Sequence, residues 1–370
     1  MREWLPMRGG GQGGARPGER IGPVRYIIIG AGAVGGTVGG RLFEAGHDVV
    51  LIARGAHLGA LRAGGLRLAA PEGAKVLAIP AAAGPDEVEL RRDDVLVLAT
   101  KSQDSVALLS EWARQPVAGG GVAAEELPLV CAQNGVANER FALRRFRNVY
   151  GMCVWLPATH LAPGVVVAHG APQSGLLFVG RYPAGDDKTI GQIAADLAES
   201  RFVAPVTTDV MRWKYSKLLA NLGNSIEALS GRPAGDAGRE AAAELGKRVR
   251  AEGRAALDAA GIGYASLQEM RDARGDQVEA RPVGETAHAG GSSWQSLTRG
   301  TGSIEADFLN GEIALLGREH GVPTPVNEAL QVLANRAAAE RWQPGAVSPG
   351  QILAMAAGDM AAGTVGCERR

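Results

Sequence analysis

The chain has 370 residues, with 39 lysines and arginines against 39 aspartates and glutamates. This length allows two ordinary domains, and the balanced charge indicates neither a nucleic acid nor an anionic membrane as a partner. No apolar run is long enough to span a bilayer, and the isolated histidines lack metal-ligand spacing, so we expect no metal. The three scattered cysteines are typical of a cytoplasmic protein.

The pattern along the chain divides it into four parts. Residues 1–22 are glycine-rich without a long apolar core, which predicts a disordered leader. Strands alternate with helices over residues 23–205, which predicts an α/β domain of the doubly wound Rossmann type. Helical periodicity then dominates residues 206–345 and predicts an all-α domain. Residues 346–370 form a tail of uncertain order.

The first strand leads directly into a glycine-rich turn. Tyr26–Ile29 is a short apolar run, and a Gly-x-Gly-x-x-Gly pattern follows it, with Gly30, Gly32 and Gly35 as its glycines. The first glycine permits the tight turn, the second lets the backbone approach a pyrophosphate, and the third permits close helix–strand packing. The helix N-terminus at Ala33 and Val34 offers N–H donors to phosphates. We therefore predict a dinucleotide site, the alternative being a turn that serves packing alone.

The residue after the second strand predicts which dinucleotide binds. Ile52 and Ala53 end this strand, and Arg54 follows where NAD sites usually carry an acidic residue. An arginine suits the 2′-phosphate of NADP(H), which we predict as the cofactor. The alternative is a solvated surface arginine.

Further polar residues follow later elements of the same domain. The segment from Leu66 to Pro80 is predicted to be a hairpin. Lys101 follows the predicted strand 94–100, and Asn134 follows the predicted strand 127–132. Open α/β sheets bind ligands at the carboxyl ends of their strands, so both are candidate ligand contacts. The alternatives are a surface lysine and ordinary turn chemistry at Asn134.

The helical region contains a polar stripe. A predicted helix over residues 209–229 carries Lys217, Asn221 and Asn224 at spacings of four and three, which places them on one face. This face is either solvated or lines a cleft. A long helix is predicted over 240–260 and a loop over 272–291. Ser303 is predicted to cap a later helix with Leu315 on its buried side, which makes Glu305 a partner of the helix dipole.

Several motifs in one order resemble the ketopantoate reductases, NADPH-dependent 2-dehydropantoate 2-reductases of the 6-phosphogluconate dehydrogenase-like superfamily. Besides the glycine turn, the motifs are Ala99-Thr100-Lys101, Gln133-Asn134-Gly135, Lys217-Leu218-Leu219-Ala220-Asn221, Ser292-Ser293-Trp294-Gln295 and Ile304-Glu305-Ala306-Asp307. The resemblance implies hydride transfer from NADPH to 2-dehydropantoate, a small oxo acid. It also implies a helical half that binds substrate and forms a homodimer.

The resemblance implies a role for each matched residue. Lys217 matches the general acid that protonates the ketone oxygen, and Glu305 matches the glutamate that binds the substrate hydroxyl and helps position that lysine. Asn134 and Asn221 match amides that hold substrate or cofactor, and Ser293 matches the serine that meets the substrate carboxylate. Lys101 matches a lysine beside the cofactor, and Arg54 the arginine on its 2′-phosphate.

The chain departs from the family pattern at three places that we expect to surround the substrate. Asn224 comes one position early, with Ser225 at the expected place, Leu297 replaces an aspartate, and Ile304 replaces a threonine. Two alternatives therefore stand beside ketopantoate reduction. One is an NADP-dependent oxidoreductase of another small oxo or hydroxy acid. The other is a non-catalytic NADP(H)-binding sensor.

Overall fold

The computed structural model describes residues 22–231, 235–284, 290–359 and 363. The predicted leader, apart from Gly22, and Cys367 lie outside the described residues. The strands are β1 Arg25–Ile29, β2 Asp48–Ile52, β3 Leu66–Ala70, β4 Gly73–Leu77, β5 Ala81–Ala82, β6 Asp94–Leu98, β7 Pro128–Cys131, β8 Asn148–Trp155, β9 Ala158–Ala162, β10 Val165–Ala168, β11 Gly170–Pro172, β12 Gly175–Arg181, β13 Phe202–Val203 and β14 Val278–Ala280. The helices are α1 Ala33–Glu44, α2 Gly55–Gly64, α3 Ser105–Ala113, α4 Ala123–Glu126, α5 Asn138–Leu143, α6 Lys188–Glu199, α7 Val210–Asn221, α8 Asn224–Ser230, α9 Gly235–Ala259, α10 Leu267–Arg274, α11 Ser292–Thr298, α12 Asn310–His320, α13 Pro325–Ala339 and α14 Pro349–Ala357.

An eight-stranded sheet has the order β13-β12-β8-β7-β6-β1-β2-β5. Its strands run parallel from β5 to β8, and β12 is antiparallel to β8. Ile29 of β1 is in register with Ile52 of β2 and Leu98 of β6. The residues that follow these three strands therefore lie at one edge of the sheet. The predicted Rossmann-type α/β fold is confirmed.

The β1 strand is buried on both faces of this sheet. Tyr26 and Ile28 pack into the cluster under α1 and α6, whereas Ile27 and Ile29 pack into the cluster under α3 and α5. Successive side chains of a strand point to opposite faces, so a continuous apolar run fits a strand covered by helices on both sides.

The predicted hairpin between Leu66 and Pro80 is confirmed, with β3 and β4 antiparallel. This hairpin belongs to a second sheet of order β4-β3-β10-β9. Strands β9 and β10 lie in a stretch for which the sequence indicated no element. This small sheet packs on α1 and places β9 beside the glycine turn's helix.

From α7 onward the described chain is helical except for β14; we call this part the helical half. Its core contains buried leucines of α7, α9, α12 and α13, among them Leu218, Leu257, Leu316 and Leu333. The tail of uncertain order includes α14, whose buried Ile352 packs into the same core. The domain boundaries at 205/206 and 345/346 remain predictions. No described helix is long and apolar enough to cross a membrane.

Several predicted details of the helical half were wrong. The helix over 209–229 is two helices, because Leu222 and the weak helix former Gly223 separate α7 from α8. The predicted loop over 272–291 includes the end of α10 and β14, which pairs with β11. Ser303 caps no helix, and Leu315 is 47% exposed rather than buried.

Candidate active site

The glycine turn opens onto a cavity of about 630 Å³, within the usual range of ligand sites. A Cβ on Gly35 would lie 2.0 Å from the carbonyl oxygen of Gly30, so α1 can pack on β1 only with glycine there. Gly30 has a φ of +104° and donates to Ile52 O, which closes the tight turn. A Cβ on Gly32 would meet nothing within 4 Å. Gly32, Ala33 and Val34 line the cavity at the start of α1.

Gly35 therefore shapes the turn without lining the cavity. The first N–H groups of α1 have no partner inside the helix, and they face a space without side chains. These residues fit the phosphates of a dinucleotide, as the spacing predicted.

Arg54 lies at the expected strand end but outside the cavity wall. It is exposed and immediately precedes α2. The histidine of the same helix, His57, contacts the turn instead, with Nε2 2.8 Å from Ala31 O. The cofactor-selecting role of Arg54 remains a prediction.

Lys217 lines the same cavity from α7. Asp209 caps this helix by accepting from Arg212 N. Nζ of Lys217 lies 3.8 Å from the centroid of the Trp155 ring and, within the described residues, has no ion pair. Burial lowers the pKa of Lys217 to about 8, as expected for a lysine in a cleft.

Lys214, one turn earlier on α7, is a structural lysine. Its side chain is 2% exposed and forms a buried ion pair with Glu139. Nζ also donates to Gln133 O at 3.0 Å. This contact ties α7 to the residues that follow β7, and thereby places Lys217 beside Asn134.

Three amides line the cavity beside Lys217: Asn134, Asn221 and Asn224. Asn221 Nδ2 donates to Asn134 Oδ1 at 3.1 Å, across the two halves of the molecule. Asn224 Nδ2 lies 3.5 Å from Ser292 Oγ. Ser225 points into the helical core, where its Oγ donates to Asn310 Oδ1 at 2.7 Å. Asn224 therefore lies on the cavity wall, whereas Ser225, at the family position, lies in the core, and the substrate contact of Asn224 remains a prediction.

Glu305 joins the helical half to the strand end after β6. Its Oε2 lies 2.9 Å from Lys101 Nζ, and its Oε1 accepts from Ser102 N and Oγ, each at 3.0 Å. Burial alone raises the pKa of this carboxyl, but the Lys101 charge and these hydrogen bonds bring it below its ordinary value. Glu305 lies in the first turn of a four-residue 3-10 helix before α12, where its carboxylate binds Lys101 and Ser102 of the other half. Its partner is Lys101, not Lys217.

Ser293 does not lie on the cavity wall, and its role as a contact of the substrate carboxylate remains a prediction. The neighbouring Ser292 lines the cavity, whereas Ser293 is 2% exposed and its Oγ has no hydrogen bond within the described ranges. Leu297 and Ile304 also lie in the helical core rather than around the cavity. Two of the three departures from the family pattern are therefore packing substitutions.

Sequence reasoning missed Trp155, Arg274 and Arg299 on the cavity wall. Trp155 is the last residue of β8, and Arg274 lay in the predicted loop. No ion pair of Arg274 or Arg299 occurs within the described residues. Burial lowers the pKa of Arg299, whose Nε donates to Gln295 O at 3.3 Å. No periodic pattern in the sequence distinguishes Arg274 and Arg299 from arginines of the surface.

His160 is another titratable group of the cavity. Burial lowers its pKa to about 4, and the charge of Arg299 and the His57 ring act in the same direction. A neutral imidazole at pH 7 has no proton to spare for an acid role. Lys217 is therefore the better proton donor of the two.

One group among the described residues has metal-like proximity, namely His47, Asp196 and Glu199. The spacing of the histidines did not indicate it. Both oxygens of Asp196 already accept hydrogen bonds, from Tyr26 OH at 2.6 Å and Gln192 Nε2 at 2.6 Å. The group lies outside the cavity wall and is poorly suited to a metal ion.

The Rossmann-type sheet, glycine turn and facing helical half define the class of nicotinamide-dinucleotide-dependent oxidoreductases. Family models describe residues 26–183 as "Ketopantoate reductase PanE/ApbA" and residues 209–338 as its C-terminal part. The chain belongs to the ketopantoate reductase family and is an oxidoreductase of the CH–OH/C=O type.

Individual relatives agree with this membership. The chain is 30% identical to a 2-dehydropantoate 2-reductase of Pyrococcus abyssi over 198 residues, 54% of this chain and 61% of that relative. It is 28% identical to the Archaeoglobus fulgidus enzyme of the same name over 309 residues, 83% of this chain and 95% of that one.

Solved structures share the fold. A PanE/ApbA family ketopantoate reductase from Ralstonia eutropha JMP134 superposes with a TM-score of 0.69 at 27% identity, covering 86% of this chain and 99% of that one. A D-mandelate dehydrogenase solved with NADH and anilino(oxo)acetate has a TM-score of 0.68 at 20% identity, covering 86% and 99%. At that identity only the fold is comparable.

Proposed function

We propose that this protein reduces 2-dehydropantoate to pantoate with NADPH, with Lys217 as the general acid. The observation that carries the proposal is that Lys217 and the glycine turn line one cavity. An ammonium and a nucleotide-binding turn on facing walls form the arrangement that reduction of a carbonyl requires. The relatives named 2-dehydropantoate 2-reductase support the substrate.

The residues at the turn hold the cofactor in this proposal. N–H groups of Gly32, Ala33 and Val34 receive the pyrophosphate, and Arg54 receives the 2′-phosphate. Lys101 and Asn134, which follow adjacent strands, contact the cofactor further along the same edge. Bound NADPH would supply the hydride.

Lys217 supplies the proton. Charge grows on the carbonyl oxygen of the substrate during reduction, and a protonated Nζ stabilises that charge and then completes the alcohol. Asn221, Asn224 and Ser292 bind the polar groups of the substrate. Glu305 fixes Lys101 and so closes the cavity between the halves, while its charge stays away from Lys217.

One observation favours the alternative of another small oxo acid. Part of the cavity wall is apolar, formed by Trp155, which contacts Lys217, and by Leu156, Val278 and Ala280. Such a wall accommodates an apolar substituent at least as well as the hydroxylated side chain of ketopantoate. The sensor alternative has less support, because a sensor does not need an ammonium in the nucleotide cavity.

The test is NADPH oxidation with ketopantoate and a panel of 2-oxo and 3-oxo acids of increasing side-chain size. Ketopantoate should give the highest kcat/KM, and Lys217→Ala should lower kcat by orders of magnitude while it retains NADPH binding. A higher kcat/KM with a larger oxo acid than with ketopantoate would favour the alternative substrate. Tight NADPH binding without turnover of any oxo acid would favour the sensor.

The proposal includes two properties of the whole molecule. We propose a homodimer formed through the helical half. Light scattering of the purified protein tests this by measuring its molar mass in solution. We also propose a cytoplasmic location, which is consistent with the free, buried cysteines Cys131 and Cys153.

A further inference from the structure

The ammonium of Lys217 contacts an aromatic ring and, within the described residues, no carboxylate. Its Nζ lies 3.8 Å from the centroid of the Trp155 ring. Trp155 ends β8, pairs with Leu176 of β12, and packs against the cluster that contains Phe178 and Val278. Lys217 comes from α7, which packs on β8. The two side chains are therefore held in place by different elements.

We propose that Trp155 is a positioning residue of the active site, whose indole face stabilises the ammonium of Lys217 and holds it at the cavity wall. An ammonium over the face of a tryptophan is attracted by the ring quadrupole. Unlike a carboxylate, the ring accepts no conventional hydrogen bond, so Lys217 keeps N–H donors for a carbonyl oxygen. The catalytic consequence rests on the proposed function; the contact itself does not.

None of the other charged groups described near Lys217 stabilises its ammonium in place of the ring. They are Cys153 on β8, the Lys214–Glu139 pair, the Lys101–Glu305 pair, and the cavity-lining Asp104, His160, Glu227, Arg274 and Arg299. Each of the two Lys–Glu pairs has no net charge, because its positive and negative groups neutralise each other. Burial raises the pKa of Cys153 to about 12, so its thiol is neutral. Arg274 and Arg299 are cations and cannot attract the ammonium, and Glu227 accepts a hydrogen bond from Gly291 N.

Two opposing effects therefore act on Lys217. Burial favours the neutral amine and lowers the pKa to about 8, whereas the ring favours the ammonium. Without the ring but with the same burial, the pKa would fall further. A general acid would then lose its proton near neutral pH, so the ring keeps Lys217 protonated where the enzyme works.

The decisive experiment weakens the ring without changing its shape. Tryptophan at position 155 is replaced site-specifically by mono- to tetrafluorinated tryptophans, which withdraw charge from the ring face in steps. The pH dependence of Lys217 acetylation is then followed in the full chain by peptide mass spectrometry. We expect the midpoint to fall stepwise with fluorination, by about one pH unit over the series. The same fluorinated residues at Trp213, which stacks on Phe178 with centroids 3.8 Å apart, serve as the control.

The corresponding kinetic measurement is the dependence of kcat on pH, in particular the alkaline limb where kcat falls. This limb should shift to lower pH in the Trp155 series, and Trp155→Phe should shift it less than Trp155→Leu. A purely structural Trp155 would lower kcat or thermal stability without moving the limb. An unchanged labelling midpoint across the Trp155 series would overturn the inference. An absence of turnover with every oxo acid would instead overturn the proposed function, while labelling still decides the contact.

Discussion

Glu305 and Lys101 form an ion pair of 2.9 Å that joins the helical half to the carboxyl edge of the sheet. Because Ser102 also donates twice to the same carboxylate, Glu305 is held by the β6 strand end through three contacts. Lys217, in contrast, rests on Trp155. The two lysines of the cavity thus have different partners, a carboxylate for Lys101 and an aromatic ring for Lys217.

Glu305→Gln should weaken the connection between the halves. Since Lys101 is 29% exposed, we expect a loss of about 1–2 kcal/mol in unfolding free energy, less than for a fully buried pair. The pKa of Glu305 is lowered in the folded chain, so its contribution is present above the unfolded pKa and is lost as pH falls through the folded value. Urea unfolding at several pH values should therefore show the difference from wild type narrowing in acid.

The control for this prediction is Glu279→Gln, which removes the exposed Arg281–Glu279 pair of 3.4 Å. It should leave stability nearly unchanged. An equal loss in both variants, or a Glu305→Gln effect that grows in acid, would contradict the assigned role of the Lys101 pair.

Lys217→Ala should lower kcat by about 10²–10⁴-fold, the usual contribution of a general acid. The acid must be protonated, and its pKa is about 8, so wild-type kcat should fall as pH rises through that value. Steady-state rates from pH 6 to 10 measure both effects. Near-normal turnover of Lys217→Ala would remove this residue from the mechanism.

Lys214→Met is the matched variant on the same helix. It leaves the fully buried Glu139 without its partner, so it should cost about 3–5 kcal/mol of stability. Lys217→Ala should cost far less, because its ammonium has no carboxylate partner within the described residues. Denaturant unfolding of the two variants separates a structural lysine from a catalytic one.

Arg54→Ala tests the choice of cofactor. Loss of a charged contact to the 2′-phosphate should weaken NADPH binding by about 10- to 100-fold and leave NADH binding almost unchanged. Titration of nucleotide fluorescence measures both constants. The control is Arg62→Ala on the same helix, whose exposed side chain pairs with Glu87. Equal losses of affinity for NADPH and NADH would contradict the assignment of NADP(H) as the cofactor.

Arg274→Gln tests a guanidinium of the cavity wall. We expect it to bind the carboxylate of the oxo acid, so the KM should rise about 10- to 100-fold for the acid but little for its neutral ester. NADPH binding should not change. Arg271→Gln, on the same helix but outside the cavity wall, is the control. A similar rise in KM for acid and ester would assign Arg274 to packing rather than charge recognition.

Local chemistry explains which features could be predicted from the sequence. The turn from Gly30 to Gly35 and the position of Arg54 depend on a strand, a turn and a helix that are adjacent in the chain. Lys101 and Asn134 follow from the rule that residues after parallel strands share one edge. Each of these needs only short-range patterns and a general rule of sheet topology.

Side-chain orientation in the helical half could not be predicted in the same way. The break at Gly223 turned Asn224 towards the cavity and Ser225 into the core, and in α11 Ser292 lines the cavity whereas the neighbouring Ser293 is buried. On a helix, one residue changes the direction of a side chain by about 100°, so a small error in a helix start moves a residue from cleft to core.

The sequence by itself determined the fold class and the glycine turn, because strands, turns and helix periods depend on neighbouring residues, and the resemblance to a family singled out Lys217. Only the tertiary structure decided the partners. Glu305 pairs with Lys101, 204 positions away, Lys217 rests on Trp155, and Leu297 and Ile304 fill the helical core. Contacts between distant segments depend on how the elements pack, and no local pattern carries that information.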